Sequence, residues 1–466
     1  MTAPLVTVRT YEPEDPDDDP IDDDGLQPAD VAAEFQASHL VSSQGLTLRR
    51  YRGSWWRWGG RCYAEVDDET LSTEILKYLL RRRTKEARKK AKSAFVRDVL
   101  ANLRIDTLVP PQVELPAWLS YTPPSSTRTH LSLENGILDI ERALTDGNPL
   151  VDHTPNFMTT TTLPYAFEPY ADCPRWQRTL DWVLPEADKQ RALQQFAGYV
   201  LSAGHYHQTC LILTGEGSNG KSTILDALTW LYGAANVSSV PLDKFEKPFS
   251  LFQMLGKLVN IAPDMGEIEK TAEGVLKSLI SGDRIDWEQK FKAAISAPPT
   301  AKLIFACNEL PRFMDKSEGI WRRLLIIPFE VTITEAQREP DIREALMAEL
   351  PGIFIWALAG LHDLRQQGHF TVPEASVTVK EDLRLESNPA RAFLLENYIA
   401  DDNDWVLRTD LYEDYKKYCA ANGHRALGER RFGKEIRRAF PNVTETRPRE
   451  GTDRPRYHSG IKKREA

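Results

Sequence analysis

A chain of 466 residues, 41% hydrophobic and 27% charged, exceeds one ordinary domain and excludes a wholly disordered or fibrous protein; two to four domains are expected. Residues 1–30 hold ten acids against Arg9 alone and carry the whole net charge of −9, so the rest is neutral and an acidic average does not exclude nucleic acid as a partner. Five dispersed cysteines without a C-x-x-C pair argue against a disulfide framework or zinc knuckle and for a reducing cytoplasm, no signal peptide is visible, and the longest apolar stretch, Gly352 to Leu361, is too short to span a bilayer.

In chain order, residues 1 to about 36 combine Pro and Asp with few apolar residues, which predicts a disordered acidic tail, either a solvating segment or a mimic of polyanion. Residues 37–66 alternate apolar and polar positions with Gly punctuation and read as short strands. From Lys77 to Arg97 the chain reads as helical and carries ten bases against Glu86, a face suited to solvent or to phosphates. Residues 106–170 look like irregular connections and short strands, and Trp176 to Leu201 reads as two helices broken at Pro185. Continuous apolar runs follow at Thr209–Thr214, Leu258–Ala262, Lys302–Ala306 and Leu324–Phe329. Such runs predict strands buried on both faces of a mainly parallel sheet covered by helices.

The strongest signal lies between the first run and the helix after it. Gly215, Glu216, Gly217, Ser218, Asn219, Gly220, Lys221 and Ser222 fit G-x-x-x-x-G-K-[ST], and Thr223 continues into the helix. The glycines let successive N–H groups point at phosphate oxygens, and the helix N-terminus adds its positive end. Lys221 then reaches the β- and γ-phosphates of a nucleotide, and the Ser222 hydroxyl completes the shell of Mg²⁺.

A nucleotide hydrolase also needs a carboxylate and a polar group near the γ-phosphate. Asp264 ends the second run, with Glu267 three residues on, and Asn308 ends the third; each is otherwise a turn residue. Arg322 and Arg323 precede the last run, placed either to stabilise charge on the γ-phosphate of a neighbouring subunit or to pair with surface acids. Lys290 and Lys292 flank Phe291 after a turn at Gly282-Asp283; this hairpin either meets solvent or offers charge and a ring to single-stranded nucleic acid.

Together, GEGSNGKS, KLVNIAPD, the LKSLISGD…KFK segment, LIFACNELP and WRRLLIIPFE resemble, in order and spacing over about 120 residues, the superfamily 3 helicases, specifically the C-terminal half of phage and plasmid primase–helicases. LENGILDI and the Trp176–Leu201 region look like the helical domain before the ATPase in that family. The resemblance implies that Lys221 and Ser222 bind ATP–Mg²⁺, with Asp264 as a further metal residue, that Asn308 senses the γ-phosphate and that Arg322 or Arg323 is the finger. Lys290 and Lys292 line a central pore by the same implication. Many family members carry two adjacent acids in the second motif, whereas Met265 and Gly266 follow Asp264 here, so the choice between Asp264 and Glu267 for polarising water stays open. Too few residues precede the resemblance for a long catalytic primase domain, and primer synthesis is not expected.

From Arg408 to Arg464 sixteen bases face eight acids. One helix carries Leu411, Tyr415 and Cys419; a second buries Phe432 and Ile436 and carries Arg430, Arg431 and Lys434 elsewhere; two short strands flank a basic loop from Arg447 to Arg456. This order reads as a winged helix for DNA binding, with a packing role as the alternative.

The expected class is therefore α/β, with an AAA+-like P-loop ATPase core preceded by a helical and mixed region and followed by a winged-helix module. The divisions expected are a tail (1–36), a mixed region with the basic helix (37–150), a helical collar (151–206), the ATPase core (207–345), a helical lid and linker (346–395) and the winged helix (396–466). The expected function is an ATP-dependent, 3′–5′, ring-forming DNA helicase, a homo-hexamer acting on single-stranded and forked DNA, encoded by a phage, plasmid or mobile element and working in the host cytoplasm with a separate primase or polymerase. An ATP-assembled, origin-binding initiator is the alternative, and a small-molecule kinase fits the phosphate loop alone.

Overall fold

A computed structural model describes residues 25–82, 84–119, 129–145, 149–266, 270–311, 313, 318–446 and 456–464. The chain divides into two compact units, the first formed by the segments up to residue 58 and from 64 to 113, the second by 59–63 and everything from 114 onward.

The first unit is helical with a β-hairpin, Leu48–Tyr51 against Ser54–Trp58. Helices Asp68–Arg81, Lys85–Lys90 and Ser93–Thr107 replace the single basic helical stretch expected. Asp67 and Thr84 cap the first two by accepting from the amides of Thr70 and Ala87 at 2.6 and 3.1 Å, which satisfies N–H groups a helix start leaves unpaired. The expected tail is shorter than the composition implied. A helix starts at Pro28 and runs to His39, because Val31, Ala32 and Phe35 at helical spacing bury among Leu71, Ile75, Val99 and Leu103. Residues 1–24 of the acidic segment lie outside the described residues.

The second unit is mixed α/β around a five-stranded parallel sheet. Its strands in chain order are β1 (Cys210–Thr214), β2 (Val237–Ser238), β3 (Val259–Ala262), β4 (Lys302–Cys307) and β5 (Leu324–Pro328), arranged β2-β3-β4-β1-β5. The apolar runs are continuous because both faces are covered. Leu211, Leu213, Ile304, Ala306, Leu325 and Ile327 enter one core, while Cys210, Ile212, Leu303, Phe305, Leu324 and Ile326 enter the other. Each buried Leu, Ile or Phe among them contributes about 1.5–3 kcal/mol.

Helices Pro174–Val183 and Ala187–Leu201 fall where the Pro185 break predicts them. The second packs against helix Leu350–Gln367 with almost no space between backbones. A Cβ on Gly198 stands 2.2 Å from the Ala357 carbonyl oxygen, and one on Gly360 stands 2.2 Å from that of Gln194. Segments expected as collar and lid thus share one core, with Phe196, Tyr199, Ala357, Leu361 and Leu364 in it. Among the described residues no single helix is long and apolar enough to cross a membrane.

Toward the C-terminus, helix Pro389–Asn397, strand Tyr398–Leu407, helices Arg408–Ala421 and Glu429–Ala439, and strands Thr444–Thr446 and Tyr457–Lys463 surround their own core. Within it the Phe432 and Tyr415 rings stack at 4.2 Å. The strands form an antiparallel sheet with Tyr457–Lys463 in the centre.

Candidate nucleotide and nucleic-acid sites

The loop between β1 and helix Lys221–Tyr232 takes a path that few side chains allow. Positive φ angles occur at Gly215 (150°), Gly217 (105°), Ser218 (46°) and Gly220 (86°), and Gly220 caps the helix. A Cβ at Gly215 stands 2.4 Å from the Phe329 carbonyl oxygen and one at Gly220 stands 2.6 Å from Val183, so packing as well as backbone angle demands glycine. Gly217 faces open space. The loop is braced from outside: the Phe329 amide donates to Thr214 at 2.7 Å and that of Ile333 to Ser218 at 2.6 Å.

The Lys221 ammonium donates to the Gly215 carbonyl and, at 3.2 Å, to Asn219 Oδ1, while Asn219 Nδ2 donates to the Phe329 carbonyl at 3.4 Å. Lys221 and Asn219 are buried, and Ser222 is exposed at the helix start. Burial lowers the Lys221 pKa, opposed by the Cys307 sulfur. Cys307 itself is pushed up to about 12 by burial, with Lys221 pulling down and Asp264 pushing up. Lys221 and Asp264 thus both act on the Cys307 side chain at the end of β4, on opposite signs of charge.

Strand register explains the convergence. Thr214 of β1 aligns with Cys307 of β4, and Ala262 of β3 with Phe305. Gly215, Asn308 and Asp264 therefore leave the sheet along one carboxyl edge, where parallel α/β sheets bind ligands. Asn308 and Asp264 are exposed, and Asp264 Oδ1 accepts from the Gly266 amide at 3.2 Å. Glu267 lies outside the described residues.

These residues fit a nucleotide with a hard divalent cation. Gly217 opens on space, the Lys221 ammonium sits at the loop, and Ser222 and Asp264 offer the oxygen donors magnesium prefers. Among the described residues no three His, Cys, Asp or Glu side chains gather into a metal site, so an ion here relies on phosphate oxygens and one or two side chains.

Arg322 and Arg323 stand at the other end of the sheet. They precede β5, which runs parallel to β1, so a strand length of about 16 Å separates them from the 215–220 loop of their own subunit. Arg323 is held in place: its guanidinium donates to the Gly319 carbonyl, to Ser281 Oγ at 2.9 Å and to Gln208 Oε1 at 3.4 Å. Burial and the Arg322 charge lower its pKa, opposed by Asp283. Arg322 is exposed and, among the described residues, has no hydrogen-bond or ion-pair partner.

Helix Lys270–Ser281 leads into the hairpin Ile285–Trp287/Ile295–Ala297, anchored by buried Trp287, whose Nε1 donates to the Ala297 carbonyl at 3.0 Å. Lys290, Phe291 and Lys292 are exposed between its strands. Phe291 is fully exposed at φ 61°, and the Lys290 ammonium lies 6.0 Å from the Phe249 ring centre. On helix Glu429–Ala439, Phe432 and Ile436 are buried while Arg430, Arg431 and Lys434 are exposed and, among the described residues, unpaired. Residues 447–455 of the expected basic loop lie outside the described residues.

Three family profiles match in succession: D5 N terminal like over residues 37–185, a family of unknown function (DUF5906) over 213–323, and RFX DNA-binding domain over 387–465. Among relatives, "Putative helicase L207/L206" of Acanthamoeba polyphaga mimivirus is 22% identical over 50% of this chain and 25% of its own length. "Putative helicase 121R" of Invertebrate iridescent virus 3 is 24% identical over 53% and 30%. The chain thus matches under a third of either relative. The apo structure of the NrS-1 C-terminal region shares the fold, with a TM-score of 0.55 at 11% identity, over 93% of this chain and 99% of that one. Together these matches support a phage-type primase–helicase family for the chain.

Sequence reasoning missed the residues that act on the candidate site residues rather than in place of them. Cys307 was visible only as the neighbour of Asn308. Gln208 and Ser281, which hold Arg323, sit 115 and 42 positions away; Gln208 carries no motif, and Ser281 was visible only as part of the LKSLISGD segment.

Proposed function

We propose that this protein is an ATP-driven DNA helicase working as a ring in phage, plasmid or mobile-element replication. The fold in this reading is an AAA+-like P-loop ATPase core followed by a winged-helix DNA-binding module. One observation carries it: the phosphate loop, Asp264 and Asn308 share one edge of the sheet, while Arg322, unpaired among the described residues, stands at the opposite edge. An arginine a strand length from its own loop serves a nucleotide only on another subunit, and a head-to-tail interface of suitable rotation closes into a ring. The name helicase on the viral relatives supports the reading. The homo-hexamer and 3′–5′ polarity rest on the superfamily 3 resemblance.

In this mechanism the 215–222 backbone amides and Lys221 grip the triphosphate. Magnesium, held by Ser222 and Asp264, neutralises phosphate charge when bound. Asp264 or Glu267 orients the attacking water, Asn308 contacts the γ-phosphate, and Arg322 of the next subunit stabilises transition-state charge. Lys290 and Lys292 contact strand phosphates while Phe291 offers a ring to a base. Arg430, Arg431 and Lys434 meet duplex or forked DNA, and the RFX DNA-binding profile supports this assignment.

Purified protein should show DNA-stimulated ATP hydrolysis and strand displacement, both lost in Lys221→Ala. Equal unwinding by that variant refutes the motor. The exposed C-terminal cations also favour a second reading, an origin-binding initiator that ATP merely assembles. It requires site-specific DNA binding that survives loss of Arg322 and no unwinding by the intact protein.

A further inference from the structure

The first unit carries a cluster of cations that none of the chemistry above uses. Helix Lys85–Lys90 buries only Ala87. At about 100° per residue, Lys85, Arg88 and Lys89 fall within about 100° of arc on the side opposite Ala87, over roughly 6 Å of axis. All three are exposed, and the sole acid from Lys77 to Arg97 is Glu86, which reaches Lys89 only at 3.9 Å. Arg81 before this helix, and Lys92 and Arg97 after it, are also exposed and, among the described residues, unpaired.

Lys85 repels both Arg88 and Lys89 at the i,i+3 and i,i+4 spacings that make helix neighbours. The chain meets charge elsewhere in this unit with partners: Arg57 pairs with Glu74 at 2.5 Å, and Arg82 with Glu34. Here, among the described residues, the cluster meets only Glu86, at 3.9 Å from Lys89, and the Thr84 cap holds the self-repelling face in helical form. A regular polyanion relieves that repulsion. The roughly 6 Å of axis that these cations span is comparable to two steps between successive phosphates of a nucleic-acid strand, about 3.4 Å each along a duplex axis.

We propose that the face formed by Lys85, Arg88 and Lys89, flanked by Arg81, Lys92 and Arg97, is a separate binding site for the phosphate backbone of a nucleic-acid strand. The site reads no base sequence and does not depend on ATP, so it stands or falls apart from the motor reading.

The test is equilibrium binding of a single-stranded oligonucleotide, and of the matching duplex, to the full chain without nucleotide at several salt concentrations. The comparison is with a Lys85→Gln/Arg88→Gln/Lys89→Gln variant whose melting temperature and basal ATP turnover are unchanged. Loss of three phosphate contacts makes the slope of log affinity against log salt shallower by about two units on single strands, at about 0.7 per contact, and weakens binding on the order of tenfold at low salt. A single Arg88→Glu variant that stays folded weakens binding further than Arg88→Gln. A strand preference in the loss identifies which nucleic acid the site takes. Unchanged slope and affinity on both DNAs overturn the proposal, as does carbodiimide cross-linking of Lys85 or Lys89 to residues 1–24 together with unchanged DNA binding, which makes the acidic segment the occupant.

Discussion

Arg323 Nη2 donates to Ser281 Oγ at 2.9 Å, and this bond joins the entrance of β5 to the end of the helix that leads into the Lys290–Lys292 hairpin. Gly319 and Gln208 supply its other acceptors, so Arg323 is committed within its own subunit while Arg322 beside it is not.

That division of labour separates the two arginines experimentally. Arg322→Ala should lower ATP turnover by about 10³-fold with nucleotide binding and melting temperature unchanged. Arg323→Ala should lower the melting temperature as well, since three acceptors lose their donor. Mixing Arg322→Ala with unaltered protein should depress turnover more than in proportion to its fraction, because each site then depends on its neighbour. Phosphate-release assays on mixtures decide the point.

Lys221→Ala should reduce ATP turnover at least about 100-fold, since in the proposed mechanism its ammonium is the loop's charged donor to phosphate. Nucleotide-induced thermal stabilisation should shrink with it. Retention of both places the triphosphate elsewhere.

Phe291 is fully exposed and touches no core, so its removal should not affect folding. Phe291→Ala should weaken single-strand binding by about 1–3 kcal/mol, the worth of one base stacked on a ring, with DNA-free ATP turnover unchanged. Fluorescence anisotropy with a labelled strand reads the loss.

Replacing Arg430, Arg431 and Lys434 together with Gln should weaken DNA binding and flatten its salt dependence, at about 0.9 per phosphate contact on duplex. Basal ATP turnover and melting temperature should hold, because the packed side of that helix is Phe432 and Ile436.

Lys302 begins β4 wholly buried, its ammonium 3.1 Å from the Ser202 carbonyl oxygen and 4.9 Å from the Tyr199 ring centre. Burial depresses its pKa from 10.5 to about 7. Between those values the unfolded chain holds a proton that the folded chain has released. Stability therefore climbs with pH across that window, by at most about 1.4 kcal/mol per unit, and this dependence vanishes below about pH 7 where both states are protonated. Melting temperatures from about pH 7.5 to about 9.5 should rise less steeply in Lys302→Met.

The path of the glycine loop and the parallel sheet were legible because their signals are local. A strand buried on both faces shows as an unbroken apolar run, and a loop that must turn its amides inward shows as fixed glycines. Strands Val237–Ser238 and Tyr398–Leu407 escaped, the first at two residues too short for any period, the second because Asp401, Asp402 and Asp404 interrupt its apolar pattern. Its pairing partner, Tyr457–Lys463, lies far along the chain and supplies the hydrogen bonds that its composition argues against. The start of the first helix was missed for the converse reason: ten acids in the first thirty residues outweighed Val31, Ala32 and Phe35 until the surface that buries them was in view.

Gly198 and Gly360 remove the layer of side chains that ordinarily cushions two crossing helices. Without it, helix Leu350–Gln367 lies directly against the backbone of helix Ala187–Leu201, which is followed by the Ser202 carbonyl that accepts from Lys302. Even a single methyl at either crossing point would wedge the two backbones apart.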